Sequence, residues 1–165
     1  MMALKDSPQF IRGKKVEFFL DDFFEARGWQ IEATSAHEER VLCLGDRRFS
    51  RNGSTWLVEY KSGLQTEFTG NVFLETISVD TENKAGWVYT CRADAILYAA
   101  LGNHKILVFS PPRLRAEIVG LKARFREVKT SNQQNRGYDT HGVIVPLEYA
   151  EEYLASQIIR VEGWT

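Results

Sequence analysis

The dipeptide Asn52-Gly53, between two runs of alternating side chains, constrains the fold of this chain more than any other feature. Asn-Gly is the strongest short-range signal for a β-hairpin, because both central residues of a type I′ turn need a positive φ. If these two residues form the loop, Arg51 pairs with Ser54, and the further pairs of the two strands follow from that register. The sequence therefore predicts that Asp46 lies directly opposite Glu59.

Two acids and a lysine are predicted to share one face of this hairpin. Opposed residues of antiparallel strands have Cβ atoms about 4.5 to 5.5 Å apart, and two carboxylates so placed repel unless a cation or a proton lies between them. Lys61 follows Glu59 by two positions, so the period of a strand puts it on the same face. Two carboxylates with an open side suit a hard cation such as Mg²⁺, which can activate water against a phosphodiester. A β-bulge near Asp46 would shift this register.

The residues that carry this pattern resemble the PD-(D/E)XK nuclease superfamily, which has the restriction-endonuclease-like fold. Gly45-Asp46, followed after the hairpin by Glu59-Tyr60-Lys61, matches the family's motif, with Gly45 where the family name has proline. The segments around Asn71–Glu75, Gly86-Trp87 and Ala93-Asp94 with Tyr98 are similar to small members from phages and mobile elements. The likeness spans about residues 8–112. Because an acid-x-lysine element is common on exposed strands, the paired Asp46 and the order of elements give the likeness its weight.

The resemblance implies an α/β fold with an αβββαβ core, in which a central mixed sheet is flanked by helices. It implies that Asp46 and Glu59 bind the metal together with the main-chain carbonyl of Tyr60, and that Lys61 orients or polarises the attacking water. The implied cofactor is Mg²⁺ or Mn²⁺. It adds Glu75 and Glu17 as further acids near the metal. The residue patterns leave alternatives for both: Glu75 as an exposed residue on a frayed edge strand, and Glu17 as a boundary glutamate in a surface ion pair.

The length of the chain predicts one domain over residues 1–165. The resemblance implies a nuclease-like core at about 8–112, and the residue patterns predict a basic segment, a loop and a C-terminal helix in 113–165. Ser7-Pro8 begins a first helix that Gly28 ends. The remaining predicted elements are strands at Trp29–Ala33, Val41–Leu44, Asn71–Val79 and Lys105–Ser110, helices at Trp87–Leu101, 113–126 and Leu147–Ile159, a loop at Thr130–Thr140 and an edge strand at Val143–Val145.

The net charge of −1 gives no global attraction to nucleic acid, but basic residues concentrate between Pro111 and Arg136. A local basic surface can still contact phosphates when the total charge is near zero. The alternative is an ordinary solvated face. The residues predicted to contact nucleic acid are Arg48, Arg113, Arg115, Lys122, Arg124 and Arg126.

Composition and absent motifs exclude several other classes. A hydrophobic content of 44% favours a globular fold over disorder. We expect a soluble, cytoplasmic protein, since no stretch approaches about 18 uninterrupted apolar residues and the first residues lack the apolar core of a signal peptide. Cys43 and Cys91 are expected to be reduced core thiols. The sequence has no phosphate-cradling glycine loop, no dinucleotide fingerprint and no paired histidine spacing for zinc.

The leading hypothesis is therefore a Mg²⁺-dependent deoxyribonuclease with DNA as its partner and no membrane association. A second hypothesis is a catalytically inactive nuclease-fold module that binds nucleic acid or a protein partner, since fold does not guarantee activity. A third is a structural or interaction protein whose hairpin acids are merely solvated. Family resemblance also raises the possibility of a homodimer, and a targeting partner is left unspecified.

Overall fold

The computed structural model describes residues 8–131 and 137–165, which form helices and two β-sheets. The helices are α1 (Pro8–Glu25), α2 (Ala36–Arg40), α3 (Thr66–Thr69), α4 (Trp87–Thr90), α5 (Pro111–Arg124) and α6 (Leu147–Tyr149), and α6 continues as a π-helical turn over Ala150–Leu154. The strands are β1 (Gln30–Ala33), β2 (Arg47–Arg51), β3 (Ser54–Ser62), β4 (Asn71–Val79), β5 (Lys84–Ala85), β6 (Ala95–Ala100), β7 (Lys105–Phe109), β8 (Glu127–Ser131), β9 (Asp139–Pro146) and β10 (Ala155–Arg160).

The larger sheet is mixed, with the strand order β1-β2-β3-β6-β7-β10. Strands β3 and β6 run parallel, and the other neighbours in this sheet are antiparallel. The smaller sheet is antiparallel, with the order β5-β4-β9-β8. The prediction of an α/β protein with a mixed sheet and flanking helices is confirmed. The prediction of an edge strand at Val143–Val145 is wrong, because β9 lies between β4 and β8.

The hairpin forms as the Asn-Gly turn predicts. Asn52 and Gly53 have φ values of +51° and +77°, as a type I′ turn requires. Arg51 pairs with Ser54, and the ladder continues to the pair Arg47 and Val58. The register of β2 and β3 is therefore confirmed over the whole length of β2.

The predicted helix at Trp87–Leu101 is wrong beyond its first turn, because the alanine-rich segment forms the buried strand β6. Alanine favours helices locally. This segment, however, is hydrogen-bonded to both β3 and β7 in the larger sheet, and such tertiary contacts override a weak local preference. Asp94 immediately precedes this strand, and Tyr98 lies within it. Asp94 Oδ2 accepts a hydrogen bond of 2.7 Å from the Leu57 N–H, and the Tyr98 hydroxyl lies 3.1 Å from Thr66 Oγ1.

Three more predicted elements differ from the structure. Residues Val41–Leu44 are irregular, and α2 forms just before them because Ser35 and Glu38 make a capping box. The predicted C-terminal helix ends at Leu154, and strand β10 follows it. Strands β8 and β9 contain the two ends of the loop predicted at Thr130–Thr140. Residues 132–136 of that loop, like the predicted N-cap Ser7, lie outside the described residues.

The two faces of the larger sheet pack against different partners. On one face, Leu20 and other apolar residues of α1 pack against side chains such as Val58 and Leu97. On the other face, Ile96 and Phe109 pack with α5 and the smaller sheet. Successive residues of a strand point to opposite faces, so Glu59 lies on the side of the smaller sheet. Within residues 8–131 and 137–165, no helix combines the length and apolar character that crossing a membrane would need.

Candidate metal centre

The backbone around Asp46 departs from regular pairing. The Asp46 N–H donates a hydrogen bond of 2.8 Å to the carbonyl of Val58, although Val58 is the ladder partner of Arg47. Asp46 and Arg47 therefore both lie against Val58, in the manner of a β-bulge. The prediction that Asp46 lies directly opposite Glu59 is wrong in register for this reason.

Gly45 makes this bulge possible. Its φ is +96°, a region that residues with a Cβ rarely adopt. A Cβ built on Gly45 would lie 2.5 Å from the carbonyl oxygen of Val58. A glycine therefore precedes Asp46, because the backbone at this position lies too close to β3 to leave room for a Cβ.

Replacement of Gly45 by alanine should destabilise the fold by at least about 2 kcal/mol, since the strained φ and the contact with backbone act together. Gly53→Ala is the matched control. Gly53 also has a positive φ, of +77°, but a Cβ there meets nothing within 4 Å. We therefore expect a cost of about 1 kcal/mol in the control. Urea unfolding of both variants checks this, and equal costs would contradict the close approach at Gly45.

The Asp46 carboxylate reaches β3 despite the bulge. Its Oδ2 accepts a hydrogen bond of 2.7 Å from the Tyr60 N–H. The Val58 carbonyl points to the side of β3 on which Asp46 lies, because it accepts the Asp46 N–H. The carbonyls of alternate residues, here Val58 and Tyr60, point to the same side of a strand. The Tyr60 carbonyl therefore lies on the same side of β3 as the Asp46 carboxylate, beyond the last pair of β2.

Glu59 and Lys61 lie together on the face of β3 that is turned to the smaller sheet. Lys61 Nζ is 2.5 Å from Glu59 Oε1, and it lies 5.9 Å from the centre of the Trp87 ring. Glu75 comes from β4 in the other sheet, and its Oε1 accepts a hydrogen bond of 3.3 Å from the Trp87 N–H. The charge of Glu75 acts on Lys61, and the charge of Glu59 acts on Glu75. Residues of both sheets thus meet around Lys61.

Burial and mutual repulsion shift the proton affinities of these groups. Burial and then the charge of Glu59 raise the pKa of Asp46 to about 6. Burial also raises the pKa of Glu75, although Lys61 and the Trp87 N–H act against it. Burial acts to lower the pKa of Lys61, but Glu59, Asp46 and Glu75 outweigh it, so the net pKa is raised. The cluster therefore holds more negative charge than one lysine neutralises, and it stabilises an added cation or proton.

The donors present fit a hard cation. Asp46 uses one oxygen for Tyr60 and Glu59 uses one for Lys61, and each carboxylate keeps a second oxygen. With the Tyr60 carbonyl these are oxygen ligands of the kind that Mg²⁺ and Mn²⁺ prefer. Among the described residues, no three His, Cys, Asp or Glu side chains form a ready-made group of metal ligands. The fit therefore depends on two carboxylates and a backbone oxygen, with Glu75 close by.

Glu17 is not brought to this group. It lies on α1, which covers the opposite face of the larger sheet, and its Oε2 is 2.7 Å from Lys14 Nζ and 3.3 Å from Arg47 Nη2. The reason is topological, since Arg47 and Tyr60 point to the α1 face while Glu59 points away from it. The placement agrees with the alternative prediction of an ion-paired glutamate.

The predicted nucleic-acid residues are dispersed. Arg115, on α5, is connected to the cluster through Cys91. It donates a hydrogen bond of 2.7 Å to the carbonyl of Cys91, and the charges of Glu59 and Lys61 act on the Cys91 thiol. Arg126 is exposed after the end of α5. The others have partners elsewhere: Arg48 with Glu38 at 2.6 Å, Arg113 with the carbonyl of Tyr153, Lys122 with Glu127 at 3.3 Å, and Arg124 over the ring of Tyr149 at 4.9 Å.

The sequence did not predict a role at this cluster for three residues that act on it. Glu39, on α2, adds a negative charge that raises the pKa of Asp46. Lys84 adds a positive charge that acts on Glu75, and Trp87 donates its backbone N–H to Glu75. The capping box at Ser35 could have revealed α2 and with it Glu39. Nothing local in the sequence brings Lys84 and Trp87 to this place.

Comparison of the chain with models of known families finds no match, and searches of curated proteins and of solved structures find none either. The proposals that follow are therefore supported by the geometry of this cluster and by the resemblance of its residues.

Proposed function

We propose that this protein is a Mg²⁺- or Mn²⁺-dependent nuclease that hydrolyses phosphodiester bonds of DNA. The observation that carries the proposal is that Asp46, Glu59 and Lys61 meet at one end of β3, with the Asp46 carboxylate on the Tyr60 amide and the Lys61 ammonium on Glu59. The order α1, β1, β2, β3, and then β6 parallel to β3, also supports a restriction-endonuclease-like αβββαβ core.

Asp46, Glu59 and the Tyr60 carbonyl would hold the metal ion, with Glu75 as an outer acid. The bound ion supplies positive charge to the phosphate oxygens and lowers the pKa of a water. Lys61 supplies N–H donors, since its ammonium carries three of them and Glu59 takes only one. The others can orient a water and stabilise charge that develops on the phosphate. Glu75 helps to keep Lys61 protonated, because its negative charge acts to raise the pKa of that group.

Arg115 and the exposed basic residues of α5 would contact the DNA backbone. Such contacts position a substrate without reading its sequence. We therefore expect binding to weaken steeply as salt is added, because each phosphate contact releases counterions.

Cleavage assays test the proposal directly. Duplex, nicked and branched DNA should be cut with Mg²⁺ or Mn²⁺ and not with EDTA, and Glu59→Gln should lower the rate at least about 100-fold, as loss of a preorganised charged group does. Glu59→Gln keeps the size of the side chain, so circular dichroism should show an intact fold. If wild type cuts none of these substrates faster than Glu59→Gln, the catalytic proposal fails.

Glu17 and Glu75 are a matched pair of acids for testing the site, because Glu75 lies near the proposed metal centre and Glu17 lies on the opposite face of the larger sheet. Glu75→Gln should lower cleavage about 10- to 100-fold, the effect of losing an outer-shell partner of a metal site. Glu17→Gln should change it by less than about twofold, because its ion pairs with Lys14 and Arg47 lie on the opposite face of the larger sheet. Cleavage rates at saturating Mn²⁺ check the pair. A larger loss in Glu17→Gln than in Glu75→Gln would contradict the assignment.

One observation favours a second candidate, an inactive module that binds nucleic acid or a protein partner. The Lys61 ammonium already neutralises Glu59. A module of this kind that binds nucleic acid would bind DNA equally well in wild type and in Asp46→Asn, with or without metal. Electrophoretic mobility shifts in EDTA and in Mn²⁺ separate it from the nuclease, which should bind more tightly when the metal is present.

A further inference from the structure

A groove with a volume of about 1120 Å³ runs across the α1 face of the larger sheet, beside the C-terminal end of α1. Its lining extends from Trp29, just before β1, to Ile159 on β10. Six strands at about 4.8 Å spacing span roughly 24 Å. The volume exceeds the roughly 300 to 1,000 Å³ of ordinary small-molecule pockets. The shape therefore suits an elongated ligand better than a compact one.

The floor of the groove is apolar and its wall is aromatic. Phe49 and Leu97 are buried in the floor, whereas Trp56 on β3 is 48% exposed. Trp56 pairs across the hairpin with Phe49, so its ring stands on a rigid two-stranded base. An exposed tryptophan held in this way provides a flat apolar surface on which a planar group can stack.

Arginines border the same wall. The Arg51 guanidinium lies 4.2 Å from the centre of the Trp29 ring, and the Arg27 guanidinium lies 3.5 Å from that of Phe23. Each uses one nitrogen on a backbone carbonyl, which leaves further N–H donors for a ligand. Among the described residues, the lining has one carboxylate, Asp94, and its Oδ2 accepts the Leu57 N–H. The charge of the groove is therefore positive and suits a polyanion.

We propose that this groove binds single-stranded DNA. Bases would stack on Trp56, and phosphates would contact Arg51 and Arg27, the combination of stacking platform and positive groove that single-strand-binding proteins use. The groove lies on the face of the sheet opposite to Glu59 and Lys61, so this binding is independent of the proposed catalysis. An acidic peptide would satisfy the arginines, but it would not use the flat surface of Trp56.

Fluorescence anisotropy with labelled oligo-dT of about 12 nucleotides, a length within known site sizes, tests this in EDTA at low salt. Trp56→Ala should weaken binding about 5- to 100-fold, as loss of one stacked base does, whereas Trp56→Phe should retain most of it. Arg51→Gln should reduce the salt slope by about 0.7 for a lost phosphate contact. Arg160→Gln is the charge-matched control, because Arg160 is exposed on β10 outside the lining of the groove, and it should leave binding by the groove unchanged.

Four results would overturn the proposal. They are no binding of oligo-dT by wild type, equal weakening in Arg160→Gln and Arg51→Gln, equal or tighter binding of oligo-U, and a wild-type dimer that Trp56→Ala converts to monomer in sedimentation. The last result would assign the groove to a second copy of the chain. Glu59→Gln should bind oligo-dT as wild type does, so failure of the catalytic proposal and failure of this one give different results.

Discussion

Replacement of Lys61 by methionine should lower the rate of DNA cleavage about 100- to 1,000-fold while Mn²⁺ binding persists. Lys61 supplies the ammonium that faces Glu59, Asp46 and Glu75, and loss of one such preorganised charge costs about this factor in rate. Lys61 is not part of the proposed metal site, because the proposed ligands are carboxylate and carbonyl oxygens. Removal of a competing ammonium should, if anything, leave Glu59 freer to bind the ion.

Rates measured under single-turnover conditions, together with calorimetric Mn²⁺ titration, check this expectation. Methionine keeps the unbranched side chain that packs near Trp87 and removes the charge, so the fold should be preserved. Lys84→Met is the control, since it removes a nearby lysine that acts on Glu75 but is not the ion-pair partner of Glu59. A Lys61→Met variant that cuts DNA as fast as Lys84→Met would contradict the role of Lys61.

The second large effect concerns the stability of the metal-free protein as pH changes. The pKa of Asp46 is about 6, above the 3.8 of an ordinary aspartate. Folding therefore favours its protonated form, so the stability it contributes is full below pH 3.8 and is lost as the pH rises through 6. The side-chain amide of the Asp46→Asn variant does not ionise. Relative to wild type, the variant should gain up to about 3 kcal/mol between about pH 3.5 and pH 7.

Urea unfolding of both proteins in EDTA across this range measures the gain. Saturating Mn²⁺ at about pH 7 provides the control, since a ligand that binds only the folded state stabilises wild type by mass action and should not stabilise Asp46→Asn. A difference between the two proteins that is the same at both ends of the pH range would show that Asp46 is not held at a raised pKa.

The parts of the site that lie on one hairpin were predictable from the sequence. The Asn52-Gly53 turn fixes its own geometry, because the need for positive φ is local, and the register of β2 and β3 follows from it. The shared face of Glu59 and Lys61 follows from the period of a strand. The detailed placement of Asp46 was not predictable, since the bulge depends on the close approach of Gly45 to Val58.

Contacts between distant elements could not be predicted in the same way. Glu75 was predicted as a metal-site acid from family resemblance, but nothing local shows that its charge acts on Lys61 from a second sheet. Ala95–Ala100 has the local preference of a helix, and it becomes a strand because β3 and β7 flank it. The helical spacing of Glu17 does not show which face of the larger sheet it lies on. Its ion pair with Arg47 places it on the face that α1 covers.

Calorimetric titration of Mn²⁺ into metal-free protein tests the central claim most directly, which is that Asp46 and Glu59 form a cation site. Wild type and Glu17→Gln should each show one saturable binding event, and Asp46→Asn and Glu59→Gln should show none. Absence of binding by wild type, or binding by Asp46→Asn with unchanged affinity, would contradict the claim.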